Sequence, residues 1–346
     1  MYLHSFSHFR GIAILFVVAS HCYGFAGLKL DSLFENSIGN IITGATGFFV
    51  FISGFMFHHV FYKTFNYKIF LTKKAHNILL PYVILGSIPI ALAIIDNTSR
   101  YGGFFTATGT GLLNESLIPA IKYYSTGRFL TAYWFIPFIL ICFLLAPLHV
   151  KFVSLSNKHQ WLTIILLSLV SVIIHRPLHS ISPIHSLLYF TPIYLFGISS
   201  SLQYQKILLI MKGKEYWLLA LAYSLALLQA SLGHKGNYYK AAFEWGGIDL
   251  MYFQKIVLCI FFMVWLNRFE HKRNAYLNTL ASSSFAIFFI HPFILKFTPT
   301  AIIDNLRHDS WLNYGLIATG VTLIALLTAK LIQKLLPNHS RFIIGA

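Results

Sequence analysis

His8-Phe9-Arg10-Gly11-Ile12-Ala13-Ile14-Leu15-Phe16-Val17-Val18-Ala19-Ser20-His21-Cys22 is the stretch that decides how this chain must be read. Only apolar and small residues stand between Arg10 and His21. On an α-helix turning ~100° per residue, the eleven steps separating them make three turns plus about 20°, so both side chains lie on one face. At ~1.5 Å per residue they are about 16 Å apart along the axis, roughly half the thickness of a bilayer core. A guanidinium and an imidazole on one stripe of a hydrophobic helix carry a solvation cost that must be recovered, and inside a membrane such residues point to function.

The rest of the composition places that helix in a membrane. Of 346 residues, 57% are hydrophobic and 17% aromatic, while only 10% are charged; a soluble domain carries about 25% charged residues. Apolar runs of about 20 residues recur along the whole length, and no polar stretch is long enough to form a separate domain. The expected fold is therefore all-α: a polytopic membrane helix bundle in a single domain, residues 1–346. Ten spans are expected, near 9–28, 38–61, 77–96, 131–150, 161–175, 185–202, 216–232, 252–267, 279–297 and 312–335.

Charge sets the expected orientation. The net charge is +16, from 26 Lys and Arg against 10 Asp and Glu. In a soluble protein this would suggest nucleic acid, but in a membrane protein it is first a topology signal, and no nucleic-acid partner is expected. With ten spans and both termini in the cytoplasm, the inner segments hold 16 of the 26 basic residues with only Glu215 and Glu270, a balance of +14. The outer segments keep ten basic and eight acidic residues, a balance of +2. Every short inner loop is then basic, as the positive-inside rule requires.

Other features add less. Cys22, Cys142 and Cys259 all fall in apolar segments, without metal or disulfide spacing. The first segment lacks a small-x-small cleavage site and carries Arg10 and His21, so it is read as an uncleaved first transmembrane helix. The longest outer loop, about 97–130, contains Gly102, Gly103, Gly109 and Gly111; another, about 233–251, holds Tyr238, Tyr239 and Trp245. Those aromatics are read as an interfacial belt or as a sugar-stacking surface. Asn97 and Asn114 open Asn-x-Ser/Thr triplets. No internal repeat is visible, which weighs against an inverted-repeat transporter.

Each polar residue at membrane depth has two readings. Arg10 is either a snorkelling topology anchor or an anion binder. His21 is a histidine satisfied within the bundle or a catalytic group. The cluster Lys73-Lys74-Ala75-His76-Asn77 before Pro81-Tyr82 is a topology signal, and it is also what an anionic nucleotide would need. Further along stand Ala132-Tyr133-Trp134-Phe135 and Ser284-Phe285-Ala286-Ile287-Phe288-Phe289-Ile290-His291-Pro292. His291 lies about as far into an outward-running helix as His21 does, so the two should share a depth.

Taken together these residues resemble the acyltransferase-3 family of bacterial membrane acyltransferases. Arg10…His21 matches that family's basic-x10-His motif in the first helix, and Phe49–Phe55, ending Ile52-Ser53-Gly54-Phe55, is similar to its second-helix signature. Lys73–Tyr82 is similar to its basic start of the third helix, and Phe288-Phe289-Ile290-His291-Pro292 to its late aromatic-Leu-His-Pro segment. The family commonly has Arg-x-x-Arg where this chain has Lys74-x-x-Asn77; a lysine offers phosphate a point charge but no bidentate fork. The chain also resembles the subset linked to polysaccharide intercellular adhesin, which has been discussed both as exporter and as O-acyltransferase.

The resemblance implies a multi-pass protein of the bacterial inner membrane. It implies transfer of an acyl group, acetyl being the expected one, from cytoplasmic acyl-CoA to a hydroxyl of a cell-surface polysaccharide or lipid-linked glycan. Arg10, Lys73, Lys74, His76 and Asn77 would hold the donor, acetyl-CoA or another acyl-CoA. His21 would act as general base or transient acyl carrier with Arg10 beside the donor, and Trp134 and His291 would meet the acceptor. Membrane lipids and polysaccharide-synthesis machinery are the other expected partners, and no metal is expected. The rival function is a transporter or flippase exporting a polysaccharide or lipid-linked glycan. Which acid orients His21 is left open; Glu115, Glu244 and Asp249 are on the expected side.

Overall fold

In the lipid core every backbone N–H and C=O must find its partner within the protein, which restricts an apolar chain of this kind to helices. The computed structural model describes residues 2–96, 103–241 and 244–346 and is 77% helical. The Asn97 triplet and Gly102 lie outside the described residues. Eighteen α-helices occur among them: α1 His4–Ala26, α2 Leu33–Ile42, α3 Thr46–Met56, α4 Tyr67–Lys74, α5 Leu80–Asp96, α6 Ile118–Thr126, α7 Phe135–Leu144, α8 Ala146–Val153 and α9 Asn157–Ile174. The second half holds α10 Pro183–Leu202, α11 Tyr204–Met211, α12 Glu215–Ser231, α13 Leu250–Asn267, α14 Ala275–Ser282, α15 Ser284–Phe297, α16 Thr300–Leu306, α17 Trp311–Leu335 and α18 Ser340–Ile344. A two-residue parallel bridge, β1 Arg176–Pro177 with β2 Tyr239–Lys240, ties two loops together.

Helices stand at all ten places read from the sequence. Six helical units are long and apolar enough to cross a membrane, and up to eight if α7 with α8 (bent by 58°) and α14 with α15 (bent by 72°) each count as one. The other two places are taken by α10 and α12, with 20 and 17 residues. Two expectations change in form. The second span is broken at residues 43–45, where Gly44 adopts φ +86°, so α2 and α3 meet at a turn. The outer loop near 97–130 is partly helical, because Pro119 opens α6 and Gly127 closes it in the left-handed conformation.

α1 is the central strut, packing against α14, α17, α13, α15 and α3. The carboxylate of Glu270 accepts from the backbone N–H of His4 (2.6 Å) and Ser5 (2.9 Å), satisfying two otherwise orphaned donors at its N-terminus. Farther along, Tyr314 Oη donates to Ala19 O at 2.9 Å while its ring stacks on Tyr23. Asp249 does similar work elsewhere: it caps α13 through Tyr252 N (2.9 Å) and accepts from Tyr189 Oη (2.7 Å). Above Tyr189 and Phe190 lies the buried Arg176 guanidinium. In this way a buried cation and anion are held among aromatic and hydroxyl partners rather than left bare.

The tightest helix pair is α3 with α10, and two glycines permit it. A β-carbon at Gly54 would collide with the Tyr194 carbonyl, and one at Gly197 with the Phe51 carbonyl. Each glycine thus makes room for the other helix's backbone, the usual basis of close packing where lipid gives no hydrophobic drive. Gly54→Ala or Gly197→Ala should therefore cost about 1–3 kcal/mol. We expect a lower melting temperature in detergent for both, and no change for Gly320→Ala, whose added methyl would meet nothing within 4 Å.

Candidate active site

The polar stripe of α1 meets three spaces along its length. At its Arg10 end lies a cavity of about 460 Å³, to which Arg10, Lys74, Ser7, Ser53, His59 and Asn278 contribute polar atoms. Among the described residues, no carboxylate lines it. The Lys74 ammonium sits over the rings of Phe61, Phe70 and Phe143, with Nζ 4.5 to 5.1 Å from their centroids. Arg10 Cζ lies 5.0 Å from the Phe285 centroid. Both cations thus rest on aromatic faces, which hold them without neutralising them. Residues Phe57–Phe61 and Ala75–Leu79 are π-helical turns, and they flank this cavity and Lys74. Such turns displace side chains from regular helical positions and recur at functional sites.

Beyond this cavity the space narrows to about 10 Å³ between Val17, Thr46, Phe49, Phe135, Phe285 and Phe288. Phe49 and Phe285 line both spaces, so the neck begins where the first cavity ends. Val17 lies one helical turn before His21, on the same face. On the far side, a second cavity of about 460 Å³ is lined by His21 with Arg128, Thr131, Pro292, Lys296 and Arg307, again with no carboxylate among the described residues. Arg10, Val17 and His21 therefore each serve one of three successive spaces along a single helix face.

His21 is held by two neighbours. Its Nδ1 is 3.0 Å from Thr131 Oγ1. Its ring stacks on that of His291, with centroids 5.6 Å apart and planes at 24°. The two histidines thus share a depth. His291 is fully buried, and its Nδ1 lies 2.9 Å from the Ile287 carbonyl. A carbonyl only accepts, so Nδ1 carries the proton, and Nε2 is left as a buried acceptor without a hydrogen-bond partner among the described residues. His291 itself does not line the second cavity, although its neighbour Pro292 does.

Thr131 reaches His21 through a tight turn. Gly127 has φ +68°, and a β-carbon there would strike the Tyr133 carbonyl. Only glycine allows α6 to end so close to the residues after it. Tyr133 Oη then donates to Phe289 O at 2.9 Å, fixing this turn to α15, the helix that carries His291. Ala132, between them, is itself at φ 66°.

The remaining residues singled out in the sequence divide cleanly. Arg10 and Lys74 are brought together in the first cavity, and His21 and His291 meet beside the second. Lys73 and His76 are exposed and do not line the cavity, and Asn77 packs by its carbonyl against Gly345. His76 faces Phe342, so this part of the basic cluster meets α18 rather than the cavity. Trp134 is buried between Phe138 and Phe190, in the aromatic packing and away from both cavities. None of the three acids considered as orienting groups contacts His21: Asp249 is committed to Tyr189 and α13, and Thr131 holds the imidazole instead. Thr131, Arg128, Lys296 and Arg307 escaped notice because they lie in turns and helix ends with no periodic pattern. Among the described residues, no group of three or more His, Cys, Asp or Glu stands together as a metal site.

Comparison with known proteins gives one result of weight. The family model described as an acyltransferase domain, acyltransferase-3, matches residues 3–330. No curated protein and no solved structure matches. The matched stretch contains the whole stripe, the neck and both cavities. The chain thus belongs to the acyltransferase-3 family and is a multi-pass membrane acyltransferase.

Proposed function

We propose that this protein is an O-acyltransferase of the bacterial inner membrane, with ten passes and both termini cytoplasmic. It would move an acyl group, acetyl being the first to test, from cytoplasmic acyl-CoA to a hydroxyl of an extracytoplasmic glycan. The observation that carries this reading is the single face of α1 that meets in turn a cationic cavity, an aromatic constriction and a histidine cavity. Arg10 and Lys74 suit phosphate groups, and the ~16 Å rise from Arg10 to His21 suits an extended thioester arm. Side chains at the neck must turn aside to admit that arm.

The chemistry rests on the hydrogen bonds. With His21 Nδ1–H donating to Thr131 Oγ1, Nε2 carries the lone pair and takes the proton of the acceptor hydroxyl. The alkoxide oxygen bonds to the thioester carbonyl carbon, the carbon–sulfur bond breaks, and the thiolate leaves with the proton that His21 releases. His291 packs its ring against that of His21 from a fully buried position and so backs the orientation of the imidazole. Thr131 positions the His21 ring as a carboxylate does in other triads, without adding charge at membrane depth.

Five substitutions test this. His21→Ala should lower kcat by at least ~10²-fold while the protein still inserts and melts normally. Unchanged transfer would remove the catalytic assignment. Thr131→Val should lower kcat by about tenfold, the value of one lost hydrogen bond, with KM for the donor unchanged, and Thr131→Ser should restore most of it. Arg10→Ala should raise KM for acyl-CoA with a smaller effect on kcat. Val17→Trp, which fills the neck, should abolish transfer yet leave CoA binding intact; full activity with the neck plugged would disprove threading.

A further inference from the structure

We infer that the acceptor carries a negative charge, a carboxylate or phosphate close to the hydroxyl that is acylated. This rests on the orientation adopted above, with His21 on the outer side. There the positive-inside rule depletes Lys and Arg, so each one that remains asks for a reason. Five of the ten outer ones meet backbone carbonyls or aromatic faces. Lys255 Nζ donates to Asn40 O and Ile41 O, Lys235 to Leu30 O, Lys122 to Phe104 O, and Lys240 to Glu244 O. Arg176 is buried on Tyr189 and Phe190. Three others converge on the cavity of His21: Arg128 after α6, Lys296 near the end of α15 and Arg307 after α16.

Those three come from separate elements, so no single helix end or topology signal accounts for their meeting. Arg128 is half-buried, whereas Lys296 and Arg307 are more open at the mouth. Arg307 lies 3.5 Å from Asp304, but both side chains are at least half exposed, and such a pair is weakly held. Among the described residues Lys296 has neither a hydrogen-bond partner nor an ion pair. Like charges gathered around one concavity repel each other, and an anion shared between them removes that repulsion. Guanidinium groups favour planar oxyanions, which a uronic acid carboxylate or a sugar phosphate supplies.

Binding of small probes tests the inference without turnover. The full chain, in discs of zwitterionic lipid that contribute no anionic headgroup, is titrated with methyl glucuronide, glycerol phosphate and methyl glucoside, and binding is followed by saturation-transfer NMR. The two anions should bind about tenfold more tightly than the neutral sugar, and the preference should shrink as salt rises. Lys296→Gln with Arg307→Gln should reduce it to within about twofold while leaving the melting temperature unchanged, because both residues stand at the open mouth. Arg128→Lys should keep it in part. Equal affinity for the three probes, or a preference that survives the double substitution, would overturn the inference. His21→Ala should retain the preference, and a wild-type protein that keeps it but acylates no acceptor would remove the transferase reading alone.

Discussion

Everything in this molecule depends on where α1 is held. Its N-terminal amides are capped by Glu270, 265 residues away from Ser5, and its later turns are pinned by Tyr314. At its middle, Gly11 lets the α14 backbone approach: a β-carbon there would sit 2.7 Å from the Leu277 carbonyl. A helix fixed at both ends and one side cannot rotate, so the face that carries Arg10, Val17 and His21 is permanently aimed at the spaces beside α15. Had α1 been free to turn by even a third of a circle, Arg10 and His21 would leave their cavities for the packed interfaces with neighbouring helices.

The surroundings of that stripe are apolar but not inert. Aromatic rings line the first cavity and form the neck, giving cations a face to rest on without cancelling their charge. Small groups appear where backbones must meet, at Gly54, Gly197 and Gly127. Buried polar groups such as Asp249, Tyr189 and Tyr252 are closed into a local network. Several buried polar atoms, the Nε2 of His291 and both amide atoms of Gln254 among them, have no hydrogen-bond partner among the described residues.

Much of this was legible in the chain itself. Apolar runs located the helices, because length and hydropathy are set by the bilayer and not by partners. The eleven-residue spacing placed Arg10 and His21 on one face, because helical geometry is local. The basic segment before α5 was recognisable too, but only Lys74 of its members reaches the cavity: Lys73 is exposed, and His76 and Asn77 lie in the π-helical turn Ala75–Leu79 that packs against α18. Periodicity assumes regular helices and fails where they bulge. Trp134 was expected to meet the acceptor by the family resemblance, and its ring packs against Phe138 and Phe190.

Sequence alone determined the helical membrane class, the positions of the ten helical segments and the pairing of Arg10 with His21, each a consequence of local geometry or of solvation by lipid. Tertiary structure decided which residues keep His21 company. Thr131 is 110 residues away and His291 is 270 away. They arrive by a glycine turn, a Tyr133 hydrogen bond and a 72° bend between α14 and α15. Contacts between segments so distant depend on how whole helices pack, and no spacing along the chain encodes that.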